Sequence, residues 1–243
     1  IDNHDINRYL LQTLYSEANL NNQLSVGFKG NPNVGTVVLG DMIKGADWFD
    51  AVRSHFGQDD RIFIISSIFG GTGASGYPLL EKMIRNSVGR PVLQKAMMGA
   101  VTVLPYFALE DPTTTGSSID SSSFLTKTKA ALAYYEKTVL SDYLYYIGES
   151  SQKKSYQNDE AKQDNPAHFI ELVAATALFD FLGKERQNTT QYLSRAIRDN
   201  QEALDVVSAG DGYKDVVKVL ADMRLLQKLV TFIRSESSFP LKK

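Results

Sequence analysis

The segment from Arg61 to Asn86 constrains the fold of this chain more than any other part of the sequence. It begins with the apolar run "RIFIISSI", continues through the glycine-rich "FGGTGASG" and ends in "YPLLEKMIRN", whose apolar residues recur at helical spacing. An unbroken apolar run of this length is typical of a strand that is buried on both faces of a parallel sheet. A second apolar run, "GAVTVLPYF", follows the predicted helix, so the sequence predicts a βαβ crossover.

The segments on either side extend this α/β pattern into a mostly parallel, Rossmann-like sheet flanked by helices. "DWFDAVRSHF" predicts a short helix with Trp48, Val52 and Phe56 on one face, and we expect Trp48 to pack this helix against the sheet. "DYLYYIG" predicts another strand. "LSVGFKGNPNVGTVVLGDMI" is rich in Gly, Asn and Pro, and this composition predicts a loop.

A long helix is predicted in "DNPAHFIELVAATALFDFLGK", where Asn165 suits the N-cap, Pro166 the first helical position and Gly183 the exit. Its apolar residues cover a wide arc, which predicts burial between two layers. The chain therefore divides into an α/β domain over residues 1–163, a central connecting helix over 164–184 and a helical C-terminal segment over 185–243.

Composition excludes several classes of protein and site. The net charge is -2 with no basic block, so neither nucleic acid nor an anionic membrane is the expected partner. No apolar run reaches the roughly 18 residues that span a bilayer. Cysteine is absent and the three histidines lie far apart in sequence, so we expect no disulfide, no thiolate or histidine metal site, and a cytoplasmic location.

The glycine-rich segment after the first predicted strand is the main candidate site. Glycines allow φ > 0 and a close approach of the backbone to an anion, and amide N–H groups at a helix start converge on one point, as phosphate sites require. The predicted contacts are Gly70, Gly71, Thr72, Gly73, Ala74 and Ser75. The structural alternative is a tight turn in which glycine serves only close packing. A Walker-type phosphate loop is excluded because Tyr77 and Pro78 follow the last glycine, where that motif needs Lys and Ser or Thr.

A dinucleotide-binding site is a second interpretation of the same residues. Gly71, Gly73 and Gly76 satisfy the G-x-G-x-x-G pattern directly after a predicted strand. That pattern normally follows the first strand of its domain, and "GAVTVLPYF" supplies no acid for the ribose. An NAD(P)-binding oxidoreductase or sensor therefore stays open as an alternative, as does a nucleotide-free interaction scaffold with the same fold.

Several segments taken together resemble the tubulin/FtsZ superfamily. "GGTGASGYP" is similar to the signature loop that wraps the phosphates of GTP in that family, and "GFKGNPNVG", with Asn31 and Pro32, is similar to a second loop on the phosphate side. "AVTVLPYFALED" resembles the next strand and turn, which would place Glu110 near the ribose. The helix predicted from Asn165 resembles the family's central helix, which would place Phe169 against the guanine base.

The resemblance implies a ligand, a fold and further activities. It implies GTP or GDP, with Mg²⁺ held through the phosphates, a tubulin/FtsZ-type GTPase domain, and the family's GTP hydrolysis and self-assembly into oligomers or filaments. It also implies that the family's first strand and first glycine loop would precede Ile1. Gly148 and Glu149 replace the family's usual Asn-Asp pair, and its acidic catalytic loop has no recognisable match after Gly183, so catalytic residues are unassigned.

Overall fold

The computed structural model describes residues 5–21, 27–28, 30–109, 123–149, 155–156, 158–159, 162–163 and 168–197. Its helices are α1 (Asp5–Leu14), α2 (Glu17–Leu20), α3 (Pro32–Ile43), α4 (Asp47–His55), α5 (Gly71–Arg85), α6 (Pro91–Gln94), α7 (Phe124–Thr138) and α8 (Phe169–Leu182). Its strands are β1 (Arg61–Ser67), β2 (Met97–Val103), β3 (Ala108–Leu109), β4 (Tyr143–Glu149), β5 (Ser155–Tyr156), β6 (Asn158–Asp159), β7 (Lys162–Gln163) and β8 (Gln191–Ile197).

The four longer strands form one parallel sheet in the order β1-β2-β4-β8. Arg61 pairs with Met97, Gly99 pairs with Tyr143, and the β4–β8 register begins at Tyr143 and Gln191. The α/β fold class with a mostly parallel sheet and flanking helices is therefore confirmed. In the described part of the chain, no helix is long and apolar enough to cross a membrane.

Helices cover the two faces of this sheet, and alternate residues of each strand point to opposite faces. Ile62 and Ile64 of β1 pack into the cluster formed with α3, α4 and α5. Phe63, between them in sequence, packs on the other face with Phe181 of α8. Helix α5 directly follows β1, so its N-terminus lies at the carboxyl end of that strand, which is where open α/β sheets bind their ligands.

Three helices and one strand differ from the sequence predictions. Residues 32–43, predicted as part of a loop, form α3, because Asn31 caps the helix and Pro32 suits its first position. The glycine-rich segment is not a separate turn, since α5 begins at Gly71 and contains the later glycines. Helix α8 is capped by His168 and not by Asn165, which lies outside the described residues, although Gly183 does follow its end.

The remaining differences concern Trp48 and the C-terminal segment. Trp48 is 52% exposed and does not pack α4 against the sheet, whereas its neighbour Phe49 is buried in the core. Residues 191–197 form β8, a strand paired with β4, so the helical character predicted for the segment after Lys184 is wrong there. A strand forms here because its main chain completes the hydrogen bonds of β4, a partner that local sequence does not reveal.

Candidate functional site

The N-terminus of α5 projects from the carboxyl end of β1. Gly70 is the N-cap residue, with φ of -88° and ψ of 165°, and no side chain caps the helix. The first amide N–H groups of an α-helix have no partner within the helix, so those of Gly71, Thr72 and Gly73 are directed beyond its end. The first turn contains no acidic residue. No carboxylate of the first turn therefore offsets the positive end of this helix.

The N-terminus of α3 is built around Asn31 and Pro32. The Asn31 side-chain oxygen accepts from the Val34 amide at 3.5 Å, and its side-chain nitrogen donates to the Asn19 side-chain oxygen at 2.9 Å. Just before this cap, Gly27 and Gly30 have φ of 71° and 70°, values that residues with side chains rarely adopt. Asn31 and Pro32, which the sequence singled out, thus start a helix, and the left-handed glycines at this site lie in the segment before it.

The two helix N-termini meet. A β-carbon on Gly71 would lie 2.7 Å from the Phe28 β-carbon and 3.1 Å from the Asn31 backbone nitrogen. Gly35 of α3 lies directly against Ser75 of α5, so the contact continues along the helices. The first contact joins Asn31 to Gly71, and the second joins Gly35 to Ser75, four residues later in each helix. Helices α3 and α5 therefore run parallel. Their positive ends therefore lie side by side.

The first turns of α3 and α5 contain no acidic residue, a property that they share with α6 and α7 but not with α4 and α8. The first turn of α4 contains Asp47 and Asp50, and the first turn of α8 contains Glu171. Such carboxylates offset the positive end of a helix by about 0.3–1 kcal/mol each. Neither α3 nor α5 has one. The site therefore concentrates uncompensated positive potential, which favours an anion with several oxygens, such as a phosphate chain.

The hydroxyl groups of Thr72 and Ser75 have different environments. Thr72 is exposed, and its hydroxyl lies beside Gly27, 3.7 Å from where a β-carbon there would stand. Ser75 is buried at 2% exposure, and its hydroxyl donates to the Gly71 carbonyl at 2.7 Å. Thr72 thus stands at the entrance of the site, while the Ser75 hydroxyl, for which a phosphate contact was predicted, is engaged inside the α3–α5 contact.

The glycines of α5 serve close packing and not unusual backbone angles. None of the glycines in this segment has a positive φ, which corrects the expectation that they adopt it. A β-carbon on Gly73 would overlap the Ser67 carbonyl oxygen. Ala74, the next residue, is buried at 5% exposure. Glycine is therefore required here because α5 crosses the end of β1 at backbone contact.

An aromatic cluster adjoins this helix end. Phe69, which precedes the N-cap glycine, packs edge-on against Tyr106 and Phe107 beyond β2, with ring centroids 6.0 and 5.4 Å away. The Tyr106 ring also contacts His168 at the start of α8, and its hydroxyl donates to a Glu171 carboxylate oxygen at 2.7 Å. Burial, together with that hydrogen bond, raises the pKa of Tyr106 well above its ordinary value.

Two predicted site residues lie at the limits of the described structure. Glu110 lies outside the described residues. Phe169 begins α8, next to the aromatic cluster, but its side chain is not described. Sequence reasoning missed Tyr106 and Glu171, although the "LPYF" turn and the acid in the first turn of α8 are both visible in the sequence.

Among the described residues, no group of three or more histidine or acidic side chains is placed to hold a metal ion. A scan against models of known protein families gives no match for this chain. A search of curated proteins also finds no similar sequence.

Proposed function

We propose that this chain is a tubulin/FtsZ-like guanine-nucleotide-binding protein. GTP or GDP would place its phosphates at the joined N-termini of α3 and α5, with Mg²⁺ held through the phosphate oxygens. The observation that carries the proposal is the convergence of two helix N-termini without acids, seen in the contact between Gly71 and Asn31. The site lies at the carboxyl end of a parallel sheet, where such folds bind nucleotides.

The physical basis is electrostatic. Amide groups of the first turn of α5 donate hydrogen bonds that cost little reorganisation, because the helix already fixes their direction. Two parallel helix dipoles repel each other at their common end, and an anion between them removes that repulsion. The exposed Thr72 hydroxyl adds one further donor at the entrance. The same arrangement supports a diphosphate or triphosphate better than a single carboxylate.

The guanine nucleotide is preferred to NAD(P) for two reasons. The resemblance of the glycine segments points to GTP, and no acid follows β2 between Val103 and Leu109, where a Rossmann site needs one for the ribose. GTP hydrolysis and self-assembly into oligomers or filaments belong to the proposal through the resemblance alone, and a cytoplasmic location through the absence of cysteine.

A thermal-shift and titration panel with GTP, GDP, ATP, NAD and NADP, each with Mg²⁺, tests the proposal on the full chain. We expect stabilisation by guanine nucleotides. Thr72→Glu would place a carboxylate at the helix end, which favours the helix itself but repels phosphate. Thr72→Gln has nearly the same size without the charge and is the matched control.

The expected result is that Thr72→Glu weakens GTP binding by at least about tenfold relative to Thr72→Gln, equivalent to about 1.4 kcal/mol. Equal GTP affinity of the two variants would refute the phosphate position. A response to NAD or NADP alone would favour the oxidoreductase or sensor, and no response to any nucleotide would favour the interaction scaffold.

A further inference from the structure

Helix α5 contains a proline at its eighth residue, Pro78. Proline has no amide hydrogen, so the carbonyl of Ala74, four residues earlier, lacks its helical donor. Ala74 is buried at 5% exposure, and water therefore has little access to that carbonyl. A buried carbonyl without a partner destabilises the fold, because it loses its hydrogen bond to water and gains none in return. The helix thus needs a donor from elsewhere at this position.

Tyr135 of α7 supplies that donor. Its hydroxyl donates to the Ala74 carbonyl at 3.1 Å, although the two residues lie far apart in sequence. The Tyr135 side chain is fully buried, and its ring packs edge-on against Tyr77 with centroids 5.2 Å apart. Burial raises the pKa of this hydroxyl well above its ordinary value, so it keeps the proton that it donates.

The supported segment is the part of α5 that forms the candidate anion site. Residues 71–77 contain three glycines, each of which makes the helix less stable than alanine would. No side chain caps this end of the helix. The first turns of α5 therefore depend on contacts from outside the helix for their geometry.

We propose that Tyr135 is a positioning residue for the anion site: its hydroxyl replaces the amide missing at Pro78 and holds residues 71–74 of α5 in the helical geometry that aims their amides at the ligand. This inference rests on the proposed nucleotide site for its effect on binding. The expected effect of Tyr135 on the stability of the first turns of α5 does not depend on the nucleotide site.

Tyr135→Phe removes the hydroxyl and keeps the ring. We expect amide hydrogen exchange in residues 71–77 to become about threefold to tenfold faster, the equivalent of one lost hydrogen bond, and GTP affinity to fall by a similar factor. Tyr134→Phe, at a side chain that is 52% exposed, is the control and should change neither. The exchange rate of these amides is measured by mass spectrometry on the folded full chain.

Rescue separates positioning from simple packing. Pro78→Ala restores an amide that can reach the Ala74 carbonyl, so it should return exchange and GTP affinity of the Tyr135→Phe variant towards wild type. Failure of this rescue in a folded double variant would overturn the proposal. So would a Tyr135→Phe variant with unchanged exchange in residues 71–77.

The two proposals fail in different ways. Wild-type chain that binds no nucleotide would refute the nucleotide site, while the exchange comparison would still decide whether Tyr135 holds the turn. If Tyr135→Phe does not fold alone, the comparison of Pro78→Ala with the double variant decides instead. Removal of the Tyr135 hydroxyl should change the exchange rate of residues 71–77 less when residue 78 supplies an amide. An undiminished change in that rate would contradict the proposal.

Discussion

Gly73 of α5 and Ser67 of β1 are in contact through their main chains. A β-carbon on Gly73 would overlap the Ser67 carbonyl oxygen and would lie 2.8 Å from the Ser67 backbone nitrogen. The neighbours are backbone atoms, which cannot move aside as the end of a flexible side chain can. This contact sets how closely α5 approaches β1, and with it the position of the candidate anion site above the sheet.

Gly73→Ala should therefore be strongly destabilising, although alanine is the better helix former. We expect a loss of about 1–3 kcal/mol in the free energy of unfolding, as for overpacked cores. Gly76→Ala is the matched control in the same helix, since its β-carbon would meet only the tip of the Leu39 side chain at 3.4 Å. Urea denaturation should show Gly76→Ala neutral or stabilising by up to about 1 kcal/mol. Equal effects would contradict the packing account.

Two buried serine hydroxyls differ in their hydrogen bonding. The Ser66 hydroxyl is buried without a hydrogen-bond partner among the described residues. The Ser141 hydroxyl donates to a Glu81 carboxylate oxygen at 2.7 Å and lies 2.9 Å from the Tyr77 hydroxyl. Removing an unpartnered hydroxyl costs little, whereas removing a shared partner leaves buried polar groups unsatisfied.

We therefore expect Ser141→Ala to lower the free energy of unfolding by about 1–3 kcal/mol. Ser66→Ala should stay within about 0.5 kcal/mol of wild type. The comparison is direct because the same substitution is made at both sites. Urea denaturation at neutral pH measures the free energy of unfolding of each variant. A large loss from Ser66→Ala would mean that its hydroxyl has a partner beyond the described residues.

Glu81 is buried at 2% exposure between α5 and the segment that leads into β4. Burial raises its pKa above the ordinary 4.5, while hydrogen bonds from Ser141 and the Leu140 amide, and the charge of Arg85, oppose the rise. Folding therefore favours the protonated carboxyl. Its contribution to stability is fully present below pH 4.5 and is lost as the pH rises through the folded-state pKa.

Glu81→Gln removes this titration. Relative to the variant, wild type should lose stability as the pH rises from about 4.5, and the difference should level off above the folded-state pKa. Urea denaturation across this range measures it. Glu136→Gln, at an exposed carboxylate on α7, controls for the loss of one negative charge. A pH-independent difference for Glu81→Gln would show that its pKa is the same folded and unfolded.

Substitution of two adjacent aromatic residues of α4 should change the free energy of unfolding by very different amounts. Trp48 is the single tryptophan and is 52% exposed, whereas Phe49 is 6% exposed. Phe49→Ala should cost about 3–5 kcal/mol through the cavity it leaves. Trp48→Ala should stay within about 0.5 kcal/mol. Trp48 fluorescence should be readily quenched by acrylamide, and strong protection from quenching would contradict its exposed position.

Local sequence pattern predicted those strands and helices whose own residues show the apolar runs or helical spacing typical of the element. β1, β2 and β4 coincide with apolar or aromatic runs, and the interior strands β2 and β4 are largely buried on both faces. β1, predicted to be buried on both faces, lies at the edge of the described sheet, where Ile65 is 59% exposed. α3 was missed because Gly, Asn and Pro indicate a loop, yet Asn31 and Pro32 cap this helix and Gly35 lets it pack on α5. β8 was missed because its apolar residues are interrupted by Ser194 and Arg195, so that its strand character depends on pairing with β4.

The sequence by itself determined the βαβ order and the place of the glycine segment directly after an apolar strand, because apolar periodicity and turn residues act over a few neighbouring positions. Tertiary structure alone decided that the Asn31 and Gly71 helix ends meet, that the Ser75 hydroxyl faces inward and that Tyr135 reaches the Ala74 carbonyl. These relationships join residues from separate elements. Their geometry is set by how closely backbones can approach, which no local pattern encodes.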